Sequence, residues 1–146
     1  MEIVHYQTFE EIQRLVTGFQ ALSLPFPSWT HEAHLTVACW YAERFGADRS
    51  LAMVRNAIQH FNLANGIFQT PTRGYHETIT RCYMHLVHAF ATTQPEGASE
   101  LARVNALLAS SYAERGYLLT HYNKATLMSW EARIGWVAPD LNPLPG

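Results

Sequence analysis

The residues in this chain best suited to chemistry are two histidines three positions apart, in Thr30-His31-Glu32-Ala33-His34-Leu35, and a third in Tyr75-His76-Glu77-Thr78. A neutral imidazole has one N–H and one lone pair, so it can ligate a metal, take a proton or hold a ligand by hydrogen bonding. Three such rings with an open fourth position are the ligand set of a catalytic zinc site, and histidine with a carboxylate also suits non-haem iron. His31, His34 and His76 are therefore candidate ligands for zinc or iron in a site that would act on a small molecule through metal-activated water. Glu77 and Asp140 are the candidate catalytic carboxylates. Each residue also has a plainer reading. The histidines could be core residues satisfied by carbonyls, tyrosines and water, Glu77 an ion-pair partner of Arg81, and Asp140 a turn stabiliser.

The helices that would carry these residues can be laid on a wheel at about 100° per residue. On the helix starting at His31, the residues Glu32, Thr36 and Glu43 cluster and define the wet side. His34 falls opposite them with Ala38, Tyr41 and Phe45, facing the core, and His31 sits on the shoulder of that sector. Both lie in the first turn, where the helix dipole disfavours a positive charge and biases the rings toward neutral. Further on, Tyr75, Ile79, Cys82, Tyr83, Leu86, Val87 and Phe90 form an apolar sector that includes His76 but leaves out Glu77, Arg81 and His88. Three imidazoles converge if the two helices pack with their N-terminal ends together. His85 and His88 read as surface residues. His5, His60 and His121 have no telling neighbours, although Thr120-His121-Tyr122-Asn123 makes a polar, aromatic turn.

The surrounding pattern is helical throughout. Thr8 and Glu11 have capping-box spacing before a helix from about Phe9 to Leu22, and two prolines then make Ser23 to Ser28 an extended connector. Thr30 caps a helix that Gly46 stops near Phe45, and Asp48 or Ser50 starts another that ends at Asn65-Gly66. A fourth helix is expected from Thr72 to about Thr92 and a fifth from Ser99 to Glu114, before short helices capped by Asn123 and Ser129. No segment alternates as a strand. The expected fold is all-α: a single domain over residues 1–146, an irregular bundle of about five main helices with an extended Pro-rich C-terminal tail lying over the body.

Composition narrows the function. A formal charge of -2 with scattered Lys and Arg lacks the basic stripe of a nucleic-acid binder. The longest apolar run, Val37 to Ala42, is far short of the roughly 20 residues a membrane helix needs. The acidic opening Met1-Glu2-Ile3-Val4-His5 has no secretory character, so a cytoplasmic protein is expected, with Cys39 and Cys82 as reduced core thiols. The alternative to a metal-assisted enzyme is a non-enzymatic module. Its pocket would bind a ligand, or its apolar surface would bind a partner helix or a second copy of the chain as a homo-oligomer.

Trp29-Thr30-His31-Glu32-Ala33-His34-Leu35, Tyr75-His76-Glu77-Thr78-Ile79-Thr80 and Trp136-Val137-Ala138-Pro139-Asp140-Leu141 with its Leu-Pro ending together resemble a family of small bacterial proteins that has THxxHL, YHETIT and PDLxPLP motifs and no assigned activity. The resemblance implies a bacterial source and draws attention to His31, His34, His76, Glu77 and Asp140. At the level of architecture alone the chain is also similar to DinB-like helical metalloproteins, whose three histidines hold a divalent metal at a different spacing.

Overall fold

The computed structural model describes residues 5–146, and among them the regular structure is helical, with no strand. Helix α1 (Phe9–Gln20) starts where the Glu11 carboxylate accepts from the backbone N–H groups of Gln7 at 2.6 Å and Thr8 at 3.2 Å. It buries Ile12, Val16 and Phe19, the residues its 3.6-residue period places on one face.

Helix α2 (His31–Ala64) begins with the Thr30 hydroxyl accepting from Ala33 N–H and is broken at Gly46, whose φ of 73° and ψ of 178° lie in a region that only glycine adopts freely. Were α2 straight, Leu35 and Ile58 would be about 35 Å apart at 1.5 Å per residue. Instead both border one cavity, and the rings of Trp29 and Phe61, next to the outer ends of the two arms, are 5.3 Å apart. The arms 31–45 and 47–64 therefore fold back on each other, and the Gly46 stop expected from sequence becomes the turn of a helical hairpin.

Helix α3 (Glu77–Ala91) starts later than the expected Thr72. Thr70 and Arg73 exchange backbone hydrogen bonds across a tight turn. Gly74, at φ 94°, lies so close to Gln69 that a Cβ would sit 2.8 Å from the Gln69 Cα. The chain enters the helix only after His76, which is its N-cap and accepts from Ile79 N–H at 3.1 Å through Nδ1. Helix α4 (Glu100–Ala109), capped by the Ser99 hydroxyl, stops short of the expected Glu114 because Ser110 is extended and turns its hydroxyl back onto the Leu107 carbonyl at 2.6 Å. The short helices α5 (Lys124–Leu127) and α6 (Trp130–Ile134) lead to the tail. No helix among the described residues is long and apolar enough to cross a membrane.

Helix α3 lies between two apolar clusters. Met84 and Val87 join Ile12, Phe19, Leu35, Phe61 and Val104, while Cys82 and Leu86 join Leu118, Tyr122 and Leu127. A helix buried on two sides has no single wet face, which is why a wheel misassigns its polar residues. Thr36, expected on the wet side of α2, is also fully buried. The segment before α1 covers it: Tyr6 exchanges hydrogen bonds with the Asn105 side chain of α4, and its hydroxyl lies 3.0 Å from the Thr36 hydroxyl.

The tail packs over α3, as expected. The buried Thr78 hydroxyl donates to the Gly135 carbonyl at 2.6 Å and accepts from Val137 N–H at 3.1 Å, the Tyr122 hydroxyl donates to the Val137 carbonyl at 2.6 Å, and the Arg81 guanidinium stacks 4.7 Å from the Trp136 ring centroid. Two of the motif segments thus serve to hold each other. Thr78→Val keeps the shape but strands one donor and one acceptor, so it is expected to destabilise the fold by about 1–3 kcal/mol. Denaturant unfolding checks the loss, and faster amide exchange at Val137 with unchanged exchange in α1 assigns it to the tail.

Candidate ligand cavity

The hairpin arms of α2 and the start of α3 line a cavity of about 310 Å³ that is partly open to solvent. Leu35, Ala38, Val54, Ile58, Ile79 and Met84 make its apolar wall, and the polar groups at its surface come from His31, His34, Thr80 and Tyr83. The Thr80 hydroxyl is already spent on the His76 carbonyl at 2.9 Å. The two histidines and the tyrosine remain.

His31 is half-buried, with its ring edge-on to Tyr83 at 5.4 Å between centroids. Its Nε2 is buried and has no hydrogen-bond partner. Burial is the main influence lowering the pKa of this ring, opposed by the nearby Glu32 carboxylate, so the imidazole is neutral near pH 7. His34 borders the same cavity but is solvent-exposed rather than turned into the core as its wheel position implies. Because His34 is both exposed and part of the lining, the cavity is open to water beside the first turn of α2. The Nδ1–H of His34 donates to the Thr30 carbonyl at 2.7 Å, and its ring lies 3.8 Å from that of Trp29. Desolvation by these neighbours lowers its pKa, His31 adds to the lowering, and the Thr30 carbonyl opposes it.

His76 is elsewhere. Its Nε2–H donates to the Leu127 carbonyl at 2.7 Å, and its Nδ1 lone pair caps α3, so both ring nitrogens are occupied and neither is free for a metal. Burial holds this pKa down too, with the Leu127 carbonyl opposing it. The expected convergence of His31, His34 and His76 therefore does not occur, and no group of three His, Cys, Asp or Glu side chains among the described residues is arranged to hold a metal. The reason is local: position 76 serves as a helix cap against the Leu127 end of the second cluster, which no spacing rule between positions 34 and 76 encodes.

The two candidate carboxylates also lie outside the cavity. Glu77 is buried, but it pairs with Arg55 rather than with Arg81: Nε and Nη2 of Arg55 donate to its two oxygens at 2.8 and 2.6 Å, and the Tyr75 hydroxyl donates at 2.7 Å. Burial raises the pKa of this carboxyl, but the Arg55 and Tyr75 hydrogen bonds outweigh it and leave it below the usual range. Asp140 is exposed and accepts from the Asn123 backbone and side chain and from the Thr126 hydroxyl at 2.6 Å, which makes it a cap for the α5 turn. His88, read as a surface residue, is half-buried with Nε2 3.2 Å from the fully buried Ser50 hydroxyl. His121 is buried and anchors the tail through the Asn142 carbonyl at 3.0 Å.

No family model, curated protein or solved structure matches this chain. A site must therefore be recognised by its geometry, and the comparison that counts is with the other concavities. A larger groove of about 420 Å³ runs between α2, α3 and α4, but there Glu43 pairs with Arg103 at 2.6 Å and His88 with Ser50, and none of its lining residues has a buried polar atom without a partner. The smaller cavity keeps unused hydrogen-bonding capacity. Tyr83 and Ile79 carry no sequence signal of this role beyond their place in an apolar sector.

Proposed function

We propose that this chain is a small-molecule-binding protein and that its site is the cavity between the arms of α2 and the start of α3. The observation behind this is the buried, unpartnered Nε2 of His31 in the lining of a largely apolar cavity. Buried polar atoms almost always have partners, because leaving one unpaired costs about 1–3 kcal/mol. A bound molecule with a polar group would supply the missing partner, and an apolar wall with a few convergent polar groups is the usual composition of ligand sites. The exposed mouth beside His34 gives a route of entry.

Benzene fills an engineered cavity of about 150 Å³, so a cavity of this size has room for two fused rings. Indole and benzofuran are suitable probes. At least one is expected to raise the Tm and to shift the NMR signals of His31, Tyr83 and Ile79. Ala38→Leu, which adds volume to the open cavity, is expected to abolish the shifts. Shifts that persist in Ala38→Leu, or no shift at these residues with either probe, would overturn the reading. Zinc or iron held stoichiometrically and lost in His31→Ala would replace it with a metal site.

A further inference from the structure

The histidines limit what kind of molecule the cavity accepts. A carbonyl can only accept a hydrogen bond, so the 2.7 Å contact from His34 Nδ1 to the Thr30 carbonyl fixes a proton on Nδ1. In the neutral ring Nε2 then carries a bare lone pair, and among the described residues no donor reaches it. Beside it, the Nε2 of His31 is buried without a partner. His34 therefore presents an acceptor at this largely apolar cavity, next to the N-terminal end of α2, where a positive charge on the ring is disfavoured.

We infer that the ligand of this cavity is a neutral, largely apolar molecule of about two-ring size that presents an N–H or O–H donor to an imidazole lone pair, with His34 Nε2 as the principal acceptor. This rests on the cavity being a ligand site, and it adds a chemical class. Ethers, ketones and carboxylates, which bring only acceptors, would displace water from this exposed lone pair without replacing its hydrogen bond. An N–H or O–H group satisfies it. Tyr83, whose hydroxyl has no partner among the described residues, can donate to an acceptor elsewhere on the same ligand.

Indole and benzofuran make the test, since they have nearly the same shape and differ in having an N–H or an ether oxygen. Isothermal titration or NMR titration of the full chain is expected to show indole binding about three- to tenfold tighter, the ratio associated with one net hydrogen bond. In His34→Phe the ratio is expected to collapse toward one, with both probes still binding. In the unaltered protein, the ¹⁵N resonance of His34 Nε2 is expected to move on indole addition in the direction of a newly accepted hydrogen bond and to stay in place with benzofuran, a readout that needs no variant. If both probes bind equally well and Ala38→Leu displaces them, the cavity is a ligand site and the donor requirement is wrong. If neither binds, both readings fall.

Discussion

Replacing Glu77 by alanine is expected to lower the unfolding free energy by about 2–4 kcal/mol and the Tm by roughly 10 °C, more than any other single carboxylate change in the chain. The carboxylate is the acceptor for two Arg55 N–H groups and for the Tyr75 hydroxyl, and its side chain is only 12% exposed. Removing one member of such a group leaves the others desolvated without a partner. Arg55 is a third exposed and can turn toward water, which keeps the loss below that of a fully buried pair. The buried Tyr75 hydroxyl has no such escape. Glu77→Gln keeps an acceptor for Tyr75 and is expected to cost less. Denaturant unfolding of the two variants and of Arg55→Met, combined as a double-mutant cycle, measures the coupling.

The same group contributes to the acid limb of stability. Because the Glu77 pKa is lower in the folded chain than in the unfolded one, its contribution is complete above the ordinary carboxylate range, about 4 to 5, and is lost as pH falls through the lower folded value. Glu77→Ala should therefore show a flatter decline of stability at acid pH than the unaltered chain. An unchanged acid limb would show that the pair contributes nothing through its charge.

The second large effect is expected at Gly46. Its φ of 73° and ψ of 178° belong to a conformation that costs an L-residue of order 1–3 kcal/mol, and no neighbouring atom would obstruct a Cβ there, so the penalty is one of backbone conformation alone. Gly46→Ala is expected to lose that much stability. The alternative open to the variant is to continue α2 as one straight helix, which moves Leu35 and Ile58 to opposite ends and removes the cavity wall. Loss of indole binding is therefore expected to accompany the loss of stability, unlike in Glu77→Ala, where the cavity lining is intact. D-alanine at position 46, introduced by peptide ligation, suits a positive φ and is expected to restore both. Unchanged stability in Gly46→Ala would show that the hairpin turn tolerates other backbone geometries.

Local chemistry was legible in the sequence and long-range pairing was not. The caps at Thr30 and Ser129, the stop at Gly46, the tail over the body and, among the described residues, the absence of strands follow from interactions within a few residues or from breaker residues, and all occur. The start of α3 and the end of α4 were misjudged because a turn closed by Thr70 and Arg73 and an extended Ser110 outweigh good helical periodicity. Within the candidate site, the sequence singled out His31 and His34 by type and spacing, and these two do border one cavity. It could not separate them from His76, because a ring that caps a helix and one that lines a cavity look alike until the distant partner, the Leu127 carbonyl, is in place. Nor could it find Arg55 as the partner of Glu77, or the burial of Thr36 beneath Tyr6, since both depend on which elements pack together. Residue type and spacing determined which groups could do chemistry here. Only the folding back of α2 and the burial of α3 on two sides decided which of those groups are already satisfied and which still lack a partner.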